Sequence, residues 1–132
     1  MLPFFDDRGD FPAGVHVGSW LEVDERLGSS TPKRVRLMAT LRHLHALAAQ
    51  TGHLSRFIIF GSFVTNTPEP RDLDLVLVMA EAFRLEDAPR ESQTLFSHAD
   101  ADARFVLDSR GHPAHVGGGG VSGVLADAPG RR

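Results

Sequence analysis

Residues 57–79 limit the possible fold more than any other part of the chain. They read FIIFGSFVTNTPEPRDLDLVLVM, with an apolar run before Gly61-Ser62 and a second apolar run after a polar stretch that contains two prolines. Short apolar runs bounded by glycine and proline are typical of buried strands. We therefore predict one strand at residues 57–60 and another at residues 72–79.

The second predicted strand opens with two acids, Asp72 and Asp74. Alternate side chains of a strand point to the same face, so both carboxylates share a face with Val76 and Val78. The opposite face is also apolar, which predicts a central strand covered on both sides. Two carboxylates on such a strand are costly unless they are paired or bound to a metal, whereas at a frayed strand start both would face water.

A phosphate contact is predicted close to these acids. Gly61-Ser62 directly follows the first strand, and a Gly-Ser turn can offer backbone N–H groups to a phosphate. Carboxylates beside a phosphate cradle indicate divalent-metal chemistry on a nucleotide.

Length and composition set the limits for the whole chain. A chain of 132 residues fits one domain with a core of its own. It contains no cysteine, which excludes disulfides and thiolate zinc sites, and its net charge of -3 argues against a surface that binds nucleic acid as a whole. No apolar run is long enough to span a membrane and no signal peptide is recognisable, so we expect a cytoplasmic protein.

Helical periodicity predicts helices on both sides of the two strands. One helix covers residues 20–27 after Ser19, and a longer one runs from Pro32 to about Gln50 with Thr31 as its N-cap. After the strands, a third helix at 91–102 and a third strand at 103–107 follow.

These elements predict an α/β (α+β) domain in which helices pack on one face of a small mixed β-sheet. The domain is expected to span residues 20–110. Residues 1–19 are rich in Pro, Gly and Asp and are expected to be irregular, and residues 111–132 are expected to form a flexible Gly-rich tail.

The strand, Gly61-Ser62 and the apolar-flanked Asp72-x-Asp74 together resemble the signature of the nucleotidyltransferase superfamily that includes DNA polymerase beta. Residues 12–16, Trp20 and the segment LFSHADADARF at 95–105 are also similar to a bacterial group of minimal nucleotidyltransferase-like proteins. The resemblance implies a polymerase-beta-like nucleotidyltransferase fold.

The resemblance also implies roles for individual residues. Asp72 and Asp74 would ligate Mg²⁺ or Mn²⁺ in a two-metal site, Gly61 would let the backbone approach the triphosphate, and Ser62 would donate a hydrogen bond to it. Arg71 would contact a phosphate or remain a solvated turn residue. Thr65 would contact the nucleotide or cap the short helical turn, and capping is the favoured alternative.

Members of the superfamily carry a third carboxylate on the next strand. The favoured candidate is Asp108, which ends the predicted strand 103–107, and Asp102 and Asp100 are the alternatives. The third acid would complete the metal site and help to deprotonate the nucleophile.

The implied activity moves a nucleoside monophosphate from a nucleoside triphosphate (NTP) to an RNA, protein or small-molecule acceptor. One alternative is an antitoxin-like binding module that pairs with a helical RNase-type toxin. If the chain is instead a transferase, a partner chain or a second copy in a homodimer is expected to help bind the acceptor. The other alternative is a nucleotide binder without catalytic activity.

Basic and histidine clusters offer weaker signals. The cluster of Lys33, Arg34, Arg36 and Arg42 is expected on the polar side of the long helix, either solvated or in contact with RNA or an acidic partner. His112 and His115 have a spacing found in metal sites, but no third ligand accompanies them. His43 and His45 are expected to pack or to face water.

Overall fold

The computed structural model describes residues 1–97, 103–108 and 122–126, which form one mixed sheet with helices. In chain order the elements are β1 (Gly14–Gly18), α1 (Trp20–Leu27), α2 (Pro32–Ala49), β2 (Leu54–Phe60), a 3-10 helix (Gly61–Val64), β3 (Leu73–Met79), a second 3-10 helix (Leu85–Asp87), α3 (Arg90–Ser97), β4 (Ala103–Asp108) and β5 (Ser122–Ala126). Residues 61–72, which join β2 to β3, are called the connector below.

The five strands lie in the order β1-β5-β2-β3-β4. β2 runs antiparallel to both of its neighbours, β5 and β3, whereas the outer pairs β1–β5 and β3–β4 are parallel. The predicted mixed sheet is therefore confirmed, and the connector joins the neighbouring ends of β2 and β3.

Helices α1 and α2 begin where the sequence predicts. Ser19 caps α1 through a reciprocal pair of hydrogen bonds with Glu22, and the Thr31 hydroxyl accepts the Arg34 N–H at the start of α2 with Pro32 in the first helical position. These caps satisfy backbone donors that a helix leaves unpaired. Among the described residues, no helix is both long and apolar enough to cross a membrane.

Helices α1 and α2 pack against one face of the sheet and form the main core with it. That core takes alternate residues of β3 together with leucines from both helices: Leu73, Leu75, Leu77, Met79, Leu27, Leu37 and Leu41. Val76 and Val78 belong to a second cluster with Ile58 on the opposite face. The predicted alternation of β3 is confirmed, and Asp74 lies on the face of Val76.

The two terminal segments depart from the sequence-based prediction. Residues 1–19 were expected to be irregular, but Gly14–Gly18 forms β1, and the tail expected at 111–132 contributes Ser122–Ala126 as β5. These two short strands pair with each other across more than a hundred residues of chain, so neither carries a local signal strong enough to predict it. The other residues of the expected tail lie outside the described residues.

Candidate functional site

The connector begins with a backbone bend that favours glycine. Gly61 follows the last residue of β2 and has a φ of +77°, in the left-handed region that side chains disfavour. Gly61 and the residues after it form the 3-10 helix Gly61–Val64, a short helical turn of the kind that the sequence predicts here. The chain thereby reverses direction between the two central strands.

The carboxylate of Asp74 lies directly against this bend. A Cβ atom added to Gly61 would lie 2.2 Å from Asp74 Oδ2, closer than real atoms approach, and 3.2 Å from its Cγ, a tight contact. The β2–β3 register explains the contact, because Phe60 and Asp74 are paired across the two strands. Glycine is therefore favoured at residue 61 for two reasons: its φ angle and the space that the Asp74 carboxylate fills.

A hydrogen bond to the Ser62 side chain connects the bend to the segment that carries Asp72. The Ser62 hydroxyl oxygen accepts the backbone N–H of Arg71 at 3.1 Å. Asp72 follows directly, immediately before β3, and both Asp72 and Asp74 are half-buried. The structure therefore places Asp74 against Gly61, and it places Asp72 directly after the residue whose N–H group the Ser62 hydroxyl accepts.

Thr65 serves the connector itself. Its hydroxyl donates to the Ser62 carbonyl at 2.7 Å and accepts the Thr67 N–H at 3.2 Å. These bonds match the capping alternative for Thr65, and they keep its side chain next to Ser62. The Arg71 side chain is exposed at the far end of the connector.

The Arg34 side chain is hydrogen-bonded to the backbone of the connector, although the sequence predicts a solvated position for it. The residue is only 2% exposed, and its guanidinium lies over the Phe63 ring at 5.2 Å. It donates to four backbone carbonyls, those of Leu27, Phe63, Thr65 and Thr67. The expected position of Arg34 in a solvated cluster is wrong, because the guanidinium is used to satisfy carbonyls that would otherwise be buried without a donor.

Asp108 does not lie near the acid pair. In the parallel β3–β4 register, Arg104 pairs with Asp74, whereas Asp108 pairs with Val78 at the far end of the strands. Four residues along a strand correspond to about 13 Å. The prediction of Asp108 as the third carboxylate is therefore wrong, since residue 108 lies at the end of β4 that is farthest from the bend. The alternatives Asp100 and Asp102 lie outside the described residues.

Within the described ranges, no group of three or more His, Asp or Glu residues is arranged to hold a metal ion. Asp72 and Asp74 supply two carboxylates, a donor set that fits Mg²⁺ when the ion keeps waters and binds substrate phosphates. His112 and His115 lie outside the described residues, His43 is exposed, and His45 packs between aromatic rings.

A cleft of about 610 Å³ opens on the other side of the bend. The connector lines it through Gly61, Ser62 and Thr65, and the opposite wall comes from residues 6–13 with Ser122. Asp72 and Asp74 are not among the lining residues, so the cleft and the acids meet only at the bend. The sequence does not predict this wall, because the Pro, Gly and Asp content of residues 1–19 indicates an irregular segment.

The wall of the cleft is a tight turn built on Asp6. Its carboxylate accepts the backbone N–H groups of Asp10 at 3.0 Å and Arg8 at 2.8 Å, and these bonds, the one from Asp10 most, lower the pKa of Asp6 below its ordinary value. Gly9 has a φ of +85°, and an added Cβ would lie 2.0 Å from Asn66 Oδ1. An Asp followed three residues later by Gly is a turn signal, and it was the one sequence feature that pointed here.

The turn is attached to the connector by backbone hydrogen bonds. The Asn66 N–H donates to the Gly9 carbonyl at 2.9 Å, and Asp10 and Thr65 form an isolated antiparallel bridge. On the far side, the Ser122 hydroxyl is 2.7 Å from the Phe11 carbonyl and 2.9 Å from that of Pro12. The cleft is thus framed by three parts of the chain that are distant in sequence.

The sequence matches DUF6932, a family of unknown function, over residues 3–117. The match includes the turn at 6–10, the connector and both acids. No curated protein and no solved structure matches the chain. Because the match covers most of the 132 residues, the chain belongs to the DUF6932 family.

Proposed function

We propose that this member of the DUF6932 family is a divalent-metal-dependent nucleotidyltransferase that uses an NTP. The observation that carries the proposal is the Asp74 carboxylate packed on the Gly61 bend. A carboxylate for a cation and a backbone bend for a phosphate are then neighbours, which is what a metal-bound triphosphate requires.

The acids and the bend have separate tasks. Asp72 and Asp74 bind Mg²⁺ or Mn²⁺, since hard cations prefer carboxylate oxygens. The backbone of Gly61 is exposed and lines the cleft, so a phosphate oxygen approaches it from the side that the Asp74 carboxylate does not fill. The Ser62 hydroxyl accepts the Arg71 N–H, so its own proton remains available to donate to a phosphate oxygen.

The reaction is a single displacement at phosphorus. An acceptor hydroxyl forms a bond to the α-phosphorus of the NTP, the bond from that phosphorus to the bridging oxygen breaks, and pyrophosphate leaves with the electron pair. The hydroxyl proton passes to a base or to water. The bound cations supply charge neutralisation for the attacking and leaving oxygens. The acceptor is an RNA, a protein or a small molecule.

The test is transfer of label from α-³²P NTPs in the presence of Mg²⁺ or Mn²⁺, with pyrophosphate release as a second readout. The acceptors are total RNA, the purified protein itself and a cell extract. Asp72→Asn and Asp74→Asn are expected to lower both signals at least about a hundredfold, because each removes a carboxylate that binds the cation, and the cation neutralises the charge on the reacting phosphates. Asp7→Asn, an exposed acid outside the site, is the control.

Wild-type rates in the double variant Asp72→Asn/Asp74→Asn would contradict the proposal. Binding of Mg-NTP without any pyrophosphate release from the wild-type protein would assign it instead to the class of nucleotide binders without catalytic activity.

An antitoxin-like binding module is the second candidate. The observation that favours it is the edge strand β1, where Val15 and Val17 are 52% and 55% exposed. Exposed apolar residues on an edge strand offer a surface for another protein. Loss of a co-purifying protein in a Val15→Lys/Val17→Lys variant that still folds would support this role, and a wild-type protein that purifies alone as a monomer would contradict it.

A further inference from the structure

We propose that the cleft between the N-terminal turn and the connector receives the nucleoside part of the triphosphate, with Asp10 as the carboxylate that binds it. This inference rests on the proposed function, because it assumes that the phosphates lie at the bend. It assigns a specificity role to a segment that contributes nothing to the acid pair.

The position of the cleft next to the bend fits the nucleoside part of an NTP. The cleft and the acid pair share only the bend at Gly61-Ser62. An elongated ligand whose phosphates bind at the bend beside Asp74 has its remaining part directed away from the acids. A volume of about 610 Å³ lies within the range of pockets that hold small molecules and is large enough for a base and a ribose.

Charge is the second argument. Asp6 and Asp10 contribute two negative charges to the cleft and Arg8 one positive charge, so the lining carries a net charge of -1. A negative cleft disfavours further phosphate groups and favours an uncharged group with hydrogen-bond donors, such as ribose hydroxyls or an exocyclic amino group.

The availability of Asp10 is the third argument. Asp6 already accepts two backbone N–H groups, whereas no hydrogen bond from the described residues reaches the Asp10 carboxylate. The backbone of Asp10 is fixed by its bridge to Thr65, so the side chain is presented from a rigid position. Next to it, Pro12 and Ala13 are exposed and offer an apolar surface for a base.

The first experiment compares two probes by calorimetry in Mg²⁺: the tightest-binding of the four ribonucleoside triphosphates, and inorganic tripolyphosphate. Asp10→Asn is expected to weaken NTP binding about tenfold, the usual effect of losing one charge-assisted hydrogen bond, and to leave tripolyphosphate binding unchanged. Asp7→Asn, in the same turn but outside the cleft, is expected to change neither affinity.

The second experiment fills the cleft instead of changing its charge. Ala13→Trp is expected to weaken NTP binding at least about tenfold through steric exclusion, with tripolyphosphate binding retained. Ala82→Trp, at an exposed alanine away from the cleft, is the matched control. Circular dichroism and thermal melting verify that all four variants fold.

The results separate this inference from the proposed function. Wild-type NTP affinity in both Asp10→Asn and Ala13→Trp would overturn the inference, as would an equal loss of NTP and tripolyphosphate binding. If Asp74→Asn left tripolyphosphate binding unchanged, or if the wild-type protein bound no nucleotide, the proposed function itself would fail.

Discussion

At the scale of single residues, the backbone of Gly61 and the side chain of Asp74 cannot be changed independently. The φ of +77° and the missing Cβ are both required at this position. Gly52 provides a comparison, because its φ is +75° but a Cβ added there would meet nothing within 4 Å. The two glycines therefore separate backbone strain from contact with the carboxylate.

Gly52→Ala is expected to lower the free energy of unfolding by about 1–2 kcal/mol, the cost of a left-handed backbone with a side chain. Gly61→Ala is expected to cost more than Gly52→Ala and to remove divalent-cation binding as well, because the new methyl group displaces Asp74. Urea denaturation and Mn²⁺ titration measure the two effects. Equal stability losses with normal Mn²⁺ binding in Gly61→Ala would contradict the assigned contact.

His45 makes stability depend on pH. Its ring lies 4.9 Å from that of Trp20 and 5.0 Å from that of Phe57, and its Nε2 atom has no hydrogen-bond partner in the part of the chain that is described. Burial, with a smaller effect of the Arg42 charge, lowers the pKa of His45 below its ordinary value of 6.5. The unfolded chain therefore binds a proton at a higher pH than the folded protein does.

Stability from His45 is consequently present above the unfolded pKa and is lost as the pH falls below about 6.5. His45→Phe is expected to reduce the loss of stability between pH 7.5 and pH 5.5, and His43→Phe, at an exposed position of the same helix, is expected to leave it unchanged. Urea denaturation at several pH values measures both. The same pH dependence in His45→Phe and wild type would contradict the lowered pKa.

At the scale of elements, Arg34 links helix α2 to the connector. Arg34→Met keeps the length of the side chain but leaves four carbonyls without their donor. We expect a loss of about 3 kcal/mol or more in the free energy of unfolding, because each unsatisfied buried group costs about 1–3 kcal/mol. Lys33→Met, at the neighbouring and more exposed position, is expected to change stability by less than about 0.5 kcal/mol. Equal effects of the two substitutions in urea denaturation would contradict the role of Arg34.

Local signals predict the elements whose residues interact with near neighbours. Ser19 and Thr31 determine where the helices begin, and the alternation after Asp74 determines which side of β3 faces the helices. β1 and β5 could not be predicted in this way, because each is short and pairs only with strands that are distant in sequence. The buried position of Arg34 could not be predicted for a related reason. Its partners are carbonyls of a segment about thirty residues away, and helical periodicity does not reveal such contacts.

At the scale of the whole molecule, the candidate site combines one segment that the sequence predicts with residues whose positions depend on the tertiary fold. The bend and the two acids lie within one segment of fourteen residues, 61–74, and the resemblance to nucleotidyltransferases depended on their spacing. The position of Asp108 depended on the register of β3 and β4, which no local pattern specifies. The wall of the cleft depended on backbone contacts between residues 9–10 and 65–66.

The central claim is that Asp72 and Asp74 hold a divalent cation beside the Gly61 bend when a nucleotide is bound. The most direct measurement is electron paramagnetic resonance of Mn²⁺ titrated into the protein with a non-hydrolysable NTP analogue. We expect saturable Mn²⁺ binding in the wild-type protein and in Asp7→Asn, and its loss in Asp74→Asn, which keeps the shape of the side chain without the charge. Wild-type Mn²⁺ binding in a folded Asp74→Asn variant would contradict the claim.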